Sequence, residues 1–311
     1  MLASLLPFFL VARIAVDEFS WQNGPEYVFD VDMNITTTPM NYDGIKQNNY
    51  TTMNLICRPR GADRLRCYLD NIKLQSIDIT NDNEVDISDE EVKGFPNKAT
   101  FDIKFNDDGV EYLIVPYAMH VFTLNHLKQI VELLHIGADL NGIPDGTFHE
   151  AENSTIGRCN VTFGINHFPS KDILRKTKNL RYELESLPQL NKVSGEAIVI
   201  RKMRNLNNCS YYASFYYGTY GNNNVVEEEL NSHLESSKSQ IFVSDTHFES
   251  WSMRIGSFGT PEESNHTHMR EIISLILKDI RQARDELPEI PEEAKTNIIA
   301  NSDIDRFYSM K

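Results

Sequence analysis

The sequence predicts a mainly β (α+β) protein: a large antiparallel β-barrel around a central amphipathic helix, followed by a short helical C-terminal segment. Three observations predict this class. Several segments alternate apolar and polar residues with the period of two that gives a strand one buried and one wet face. One internal segment has apolar residues at three- and four-residue spacing, which is typical of an amphipathic helix. A second segment of that kind lies near the C-terminus.

The strands are predicted from alternation and from composition. Between residues 27 and 35, apolar residues occupy the odd positions, and Asp30, Asp32 and Asn34 alternate with them. Residues 101–105 repeat the pattern. β-Branched and aromatic residues, which favour strands, are concentrated in residues 111–117, 196–200 and 211–220. So many strands separated by polar turns indicate a large antiparallel sheet or barrel.

Two helices are predicted. The first covers residues 123–136, with Thr123 or Asn125 as its cap, and its wide apolar stripe predicts burial on most sides, as the filling of a barrel. The second begins near His268 and ends at Leu287-Pro288. Its predicted apolar face consists of Met269, Ile272, Ile273, Ile276, Leu277 and Ile280.

These elements predict three parts of the chain: a signal peptide over 1–15, a barrel domain over 16–258, and a linker with the start of a truncated α-helical domain over 259–311. Residues 222–240 are polar and acidic, which indicates a mobile loop. In the signal peptide, Leu5–Ala12 is apolar but too short to span a bilayer. The alternative interpretation of this segment is an N-terminal core strand.

The composition excludes some classes of function. The 311 residues include 45 acidic and 30 basic side chains, a formal net charge of −15. This charge argues against a general nucleic-acid binder, because phosphate contacts need a basic surface. No apolar run reaches the roughly 20 residues that a membrane-spanning helix needs. We therefore expect no nucleic acid as a partner and no membrane span.

Cysteines and glycosylation motifs favour a secreted, extracellular protein. Four cysteines without a CxxC motif allow three disulfide pairings, and four buried free thiols are the alternative. Cys57 and Cys67 flank a predicted turn, so a hairpin crosslink is plausible, and Cys159 and Cys209 would then pair over a long loop. The density of glycosylation motifs supports an oxidising compartment. The predicted acceptors are Asn34, Asn49, Asn153, Asn160, Asn208 and Asn265.

The search for catalytic motifs predicts that the protein is not an enzyme. The sequence contains no G-x-S-x-G elbow, P-loop, H-E-x-x-H motif or dinucleotide fingerprint. His126 and His135 are nine positions apart on the predicted helix, so they fall on opposed faces. We expect no catalytic residue, no metal site and no cofactor.

Four segments carry a family resemblance. They are WQNGPEYVF (21–29), the helical residues 124–134, GRC (157–159) and KMRNLNNC (202–209). In their order and spacing they resemble the W-x-x-G-x-x-Y-x-Y start, the central helix, the G-x-C segment and the K-x-K/R-N-x-x-x-C segment of the vitellogenin amino-terminal domain. Large lipid transfer proteins share this domain, and the resemblance covers about residues 20–255.

The resemblance implies a secreted lipid transporter and yolk nutrient protein, and it selects the Cys159–Cys209 pairing. It also implies docking to a lipoprotein-receptor-type endocytic receptor, whose acidic modules grip basic side chains. The matching positions are Lys202 and Arg204 with Arg201 beside them, so we expect these three residues to form an exposed receptor-docking patch.

Lipid is the possible cargo, but the resemblance implies carriage only if further domains follow residue 311. A barrel filled by its own helix has no volume for a lipid load. The alternative function is therefore a short secreted paralogue that acts as a binding or recognition module without lipid cargo.

Overall fold

A computed structural model describes residues 2–6, 10–14, 23–39, 45–61, 63–80, 83–88, 98–170, 182–186, 195–213, 231–259 and 267–300. These residues form sixteen strands and one helix, α1 (Val121–Glu132). The strands are β1 (Leu2–Leu6), β2 (Leu10–Ile14), β3 (Pro25–Pro39), β4 (Lys46–Pro59), β5 (Arg64–Thr80), β6 (Asn83–Ser88), β7 (Phe101–Asn106), β8 (Gly109–Pro116), β9 (Gly146–Ser154), β10 (Gly157–Pro169), β11 (Tyr182–Ser186), β12 (Glu196–Tyr212), β13 (Asn231–Val243), β14 (Phe248–Gly259), β15 (Thr267–Gln282) and β16 (Glu293–Thr296).

Thirteen strands form one antiparallel sheet in the order β16-β8-β7-β5-β4-β3-β15-β14-β13-β12-β10-β9, with β6 paired to β5. The prediction of a mainly β, antiparallel protein is confirmed. The prediction of a closed barrel is wrong, because β16 and β9 are the two ends of this order and do not pair among the described residues. The segment after β16 instead contacts the turn after β9, where the Ala300 amide donates to the Thr155 carbonyl at 3.1 Å.

The inner face of the sheet carries the core. On β3 the alternation is as expected, with Tyr27, Phe29 and Val31 fully buried. Side chains of α1, such as Leu127 and Ile130, belong to the same apolar cluster as these strand residues. The concave side of the sheet is therefore filled by a helix and its packing partners.

The helix begins and ends earlier than its predicted bounds of 123–136. Its N-cap is His120, whose Nδ1 accepts from the Phe122 amide at 3.3 Å, in place of Thr123 or Asn125. Leu133 is the C-cap, and the chain leaves the helix there while staying buried. Within the described residues, no helix combines the length and the apolarity that crossing a membrane requires.

The predicted C-terminal helix is wrong. Residues 267–282 form β15, which pairs with β14 on one side and β3 on the other. Met269, Ile273 and Leu275 point inward with a period of two, whereas Ile272 lies half-buried on the outer face. The division at 259 is therefore also wrong, because β15 is an interior strand of the sheet and belongs to the same domain.

The predicted loop over 222–240 is wrong for residues 231–240, which form most of β13. Residues 222–230 lie outside the described residues. At the N-terminus, β1 and β2 pair with each other, and β2 pairs with β11 in a separate three-stranded sheet. The signal peptide over 1–15 stays a prediction.

Both disulfides form, so the predicted pairing is confirmed. Cys57 and Cys67 face each other across the β4–β5 hairpin, with Cα atoms 4.1 Å apart. Cys159 and Cys209 face each other across β10 and β12, with Cα atoms 3.8 Å apart. The register shifts beside this second bridge, so that residues 206–208 bulge out of the ladder.

Gly157, at the start of β10, should tolerate no side chain. Its φ is +136°, and an added Cβ would lie 2.2 Å from the Tyr211 carbonyl oxygen. We expect Gly157→Ala to lower the free energy of unfolding by about 1–3 kcal/mol through backbone strain alone, measured by chemical denaturation. Gly164→Ala on the same strand is the control, because its Cβ would meet nothing within 4 Å. Equal stability of the two variants would contradict this reading of the β10–β12 contact.

Candidate functional site

The three residues of the predicted docking patch lie on opposite faces of β12. Arg201 is exposed, whereas Lys202 and Arg204 are 3% and 5% exposed and point into the protein. The prediction of an exposed patch is therefore wrong for Lys202 and Arg204. The reason is the period of the strand: Ile198 and Ile200 point inward, and residues 202 and 204 follow them on the same face.

Lys202 fastens the end of α1 to the sheet. Its ammonium donates to the carbonyls of His135 at 2.9 Å and Ile136 at 3.0 Å, and it lies 2.5 Å from Glu152 Oε1 on β9. A cation is favourable there, because the carbonyls beyond the C-terminus of a helix have no partner within the helix. Burial lowers the pKa of Lys202, and Glu152 opposes that shift.

Arg204 joins the helix to two strands. Its Nη2 lies 2.6 Å from Glu132 Oε1, in the last turn of α1, and 3.0 Å from Glu152 Oε2. Its Nη1 donates to Ser237 Oγ on β13 at 3.1 Å. All of these groups are buried, so the pairs are shielded from water and salt.

Arg254 on β14 completes the network. Its Nη2 lies 2.6 Å from Glu132 Oε2 and also donates to Thr155 Oγ1. Its Nη1 lies 3.3 Å from Glu271 Oε1 on β15. Glu271 also accepts from the Gln129 side chain of α1 at 3.2 Å. We call Lys202, Arg204, Arg254, Glu132, Glu152 and Glu271 the buried charge network.

The network is balanced, with three cations and three carboxylates. Burial alone would raise the pKa of Glu132, but the attraction of Arg204 and Arg254 outweighs it and lowers that pKa to about 2. Glu271 has fewer cationic neighbours, so burial raises its pKa. Burial likewise lowers the pKa of His135 to about 4. Through these ion pairs the network ties α1 to β9, β12, β14 and β15.

Sequence reasoning missed Glu132, Glu152, Arg254 and Glu271. The signal that could have found them is a polar residue at an inward position of an alternating strand, as Glu271 is between Met269 and Ile273. Inward positions next to the network on β13 and β14 are serines, whose small size leaves room inside the sheet for α1. They are Ser237, Ser239, Ser250 and Ser252.

A second ionic cluster lies between the disulfide-linked strands and the C-terminal segment. Arg58 on β4 pairs with Glu26 at 2.6 Å. Arg66 on β5 pairs with Asp102 at 2.7 Å and with Glu289 at 2.9 Å. Arg58 also pairs with Asp285 at 3.2 Å, so both arginines tie the segment after β15 to the sheet. Among the described residues, no group of three His, Cys, Asp or Glu side chains is placed to hold a metal ion.

The predicted glycosylation acceptors differ in accessibility. Asn153, Asn160 and Asn208 are exposed, and Asn208 lies in the bulge beside the second disulfide. Asn34 and Asn49 are half-buried on β3 and β4, and Asn49 accepts from Ser76 Oγ at 2.8 Å. Asn265 lies outside the described residues. Glycosylation at all six positions stays a prediction.

Lys128 is the one buried cation of α1, and it should make stability depend on pH. Its ammonium donates to the Ile299 carbonyl at 2.6 Å, and burial lowers its pKa from 10.5 to about 7. Between these values the unfolded chain holds a proton that the folded chain lacks, so the free energy of unfolding rises with pH, by up to about 1.4 kcal/mol per unit.

Urea denaturation of the wild type and of Lys128→Met at several pH values between about 7 and 10.5 measures this effect. We expect the variant to lose that part of the slope, because methionine fills the same space and does not titrate. An identical slope in the two proteins would show that Lys128 does not titrate in this range.

The outer face of the same strands carries a groove of about 390 Å³. Arg201, the exposed member of the predicted patch, lines it together with Met203, Lys238 and Trp251. The inner face of this sheet therefore holds the helix, and the outer face presents an open surface.

In the part of the chain that the structure describes, these features define a class of protein: one large antiparallel sheet packed around one helix and crosslinked by two disulfides. The model of the vitellogenin N-terminal domain matches residues 21–251. The chain therefore belongs to the vitellogenin N-terminal domain family, a family of lipid-transfer proteins. No curated protein matches the chain significantly.

A solved structure, described as lipid–protein interactions in lipovitellin, has a similar fold with a TM-score of 0.57 and 11% sequence identity. The match covers 87% of this chain and 27% of the lipovitellin chain. This chain thus spans about a quarter of the length of the structure that it resembles. At this identity the likeness concerns the fold.

Proposed function

We propose that the chain works in lipid transport as the N-terminal domain of a secreted, vitellogenin-type lipid-transport and yolk-nutrient protein. The observation that carries the proposal is the family domain over residues 21–251. Both disulfides, and three exposed glycosylation acceptors, are consistent with passage through an oxidising secretory compartment.

Within this function, the domain itself would have a structural role and would bind the receptor. Its inner face is occupied by α1 and the buried charge network, so a lipid load would lie elsewhere in a full-length carrier. Uptake by a lipoprotein-receptor-type endocytic receptor remains part of the proposal. The two buried residues of the expected patch, Lys202 and Arg204, are withdrawn from it.

A second function is favoured by the filled interior and the open outer groove: a secreted binding module without lipid cargo. The two functions differ in what the protein carries. We would express the chain in secreting eukaryotic cells, purify it without detergent, and analyse it by lipid extraction and native mass spectrometry. Tightly held bulk lipid would contradict both functions, because each leaves the interior of this chain filled by α1. Sequencing the full transcript then separates them: a reading frame that continues past residue 311 supports the carrier domain, and a stop codon there supports the binding module.

Secretion is tested in the same preparation. N-terminal sequencing of the protein from the medium should begin after the predicted signal peptide, and glycosidase treatment should lower its intact mass. Retention inside the cell with an unmodified N-terminus and no glycan would contradict the secreted assignment.

A further inference from the structure

We propose that the outer groove binds a single-chain amphiphile with an anionic head group. This site lies outside the lipid-carriage proposal, because it takes one small molecule at the surface. The groove has a volume of about 390 Å³, within the roughly 300–1,000 Å³ range of small-molecule pockets.

The ladder register aligns outer-face side chains in two rows across the strands, of which the first lines the groove and the second continues beyond it. In the first row, Thr147, Gly164, Arg201, Gln240 and Trp251 stand opposite one another from β9 to β14. Gly164, on β10, is the second member of this row, and an added Cβ would meet nothing within 4 Å. The missing side chain therefore creates the hollow between Thr147 and Arg201.

The second row supplies a mainly apolar track: Met203 and Lys238 line the groove, and Met253 and Ile272 extend the track along the outer face. Met203, Lys238, Met253 and Ile272 stand opposite one another from β12 to β15. Met203 is 52% exposed, and Met253 and Ile272 are half-buried. At about 4.8 Å per strand, the track from β12 to β15 is about 14 Å long, the extended length of a roughly twelve-carbon chain.

The charges specify the head group. Arg201 and Lys238 stand on neighbouring strands at one end of the track, and no carboxylate is among the described residues that line the groove. Arg201 Nε donates to the Gln240 side chain at 3.1 Å, and no ion pair neutralises either cation among the described residues. In a chain with a net charge of −15, this is a local site for an anion.

Together these features fit one ligand chemistry. A carboxylate or phosphate head would form charge-assisted hydrogen bonds with Arg201 and Lys238. Its alkyl chain would cover Met203, Trp251 and Met253, which are partly exposed to water. An acidic peptide would satisfy the cations and leave that track uncovered, so we favour the amphiphile.

The probe is dodecanoate, titrated below its micelle concentration by calorimetry. Two variants remove different parts of the site: Gly164→Leu fills the hollow, and Arg201→Glu with Lys238→Glu reverses the charge. Their controls are Asn166→Leu, the next outward position on β10, and Lys73→Glu, an exposed lysine on β5. Circular dichroism and thermal unfolding check that every variant folds.

We expect dodecanoate affinity to fall about tenfold or more in both groove variants and to stay unchanged in both controls. In addition, 11-bromoundecanoate should quench Trp251 fluorescence in a Trp21→Phe background. Equal affinity in all variants would overturn the proposal, and so would equal binding of dodecyltrimethylammonium. Binding of a glutamate decapeptide or of anionic vesicles in the absence of monomer binding would assign the surface to a different partner. The proposed function is tested separately by the transcript and by secretion, and neither depends on these outcomes.

Discussion

Replacing Arg204 by methionine is expected to lower the free energy of unfolding by about 3–5 kcal/mol, the typical cost of breaking a buried ion pair by removing one partner. The substitution leaves Glu132 with Arg254 alone, and it leaves Glu152 with Lys202 alone. Methionine keeps most of the volume, so the loss reports the two ion pairs of Arg204 rather than a cavity. Urea denaturation followed by circular dichroism measures it.

Arg201→Met is the matched control, because it changes the same residue type on the same strand at an exposed position. We expect its effect to stay within about 0.5 kcal/mol. The double variant Arg204→Met with Glu132→Gln should lose less than the sum of the single changes. Similar losses for Arg204→Met and Arg201→Met would contradict the inward orientation of Arg204.

Removal of the Cys159–Cys209 bridge, by changing both residues to serine, should be the second large effect. The cysteines are 50 positions apart, and the chain-entropy relation gives a loss of about 4 kcal/mol for a loop of that length. The bridge also pins β10 to β12 beside the bulge at residues 206–208. Thermal and urea unfolding of the secreted protein measure the loss.

The control is the removal of the Cys57–Cys67 bridge, which closes a loop of ten residues. The same relation predicts a smaller loss of about 2.7 kcal/mol. If the hairpin bridge proves the more stabilising of the two, loop closure does not govern disulfide stability in this protein, and local packing around β4 and β5 does.

The strands that could be predicted are those with a single possible period. On β3, apolar residues at every odd position from Tyr27 to Ile35 permit no other structure, and all five are buried. The disulfides could be predicted in part from the hairpin around Gly61, and fully only through the family resemblance. The alternation of β3 and the turn of the hairpin are both local in sequence, whereas the bridge between Cys159 and Cys209 spans 50 positions.

The error over residues 267–282 has a physical cause. Met269, Ile273 and Leu277 satisfy the period of a helix and the period of a strand at the same time. Ile272 and Ile276 then supplied a second helical row, but they are outer-face residues of a strand. Tertiary pairing with β3 and β14 decides the structure there. Whether the sheet closes into a barrel is likewise decided by residues far apart in sequence, because closure would require β16 to pair with β9.

The prediction of an exposed docking patch is wrong for a different reason. It is based on the position of these residues in the family motif, whereas the alternation of the strand decides which face each side chain occupies. Continuing the inward alternation from Ile198 and Ile200 would have placed Lys202 and Arg204 inside. Their carboxylate partners come from α1 and β9, far away in sequence. No pattern within β12 alone identifies those partners.

Hydrogen exchange of the α1 amides tests the central claim most directly: that the inner face of this domain is committed to a helix held by buried charges. Measured by mass spectrometry on the whole secreted chain, peptides covering residues 121–132 should exchange as slowly as those of β12 and β14. Arg204→Met should accelerate α1 exchange more than Arg201→Met does. Rapid exchange of α1 in the wild type, with the strands still protected, would contradict the claim.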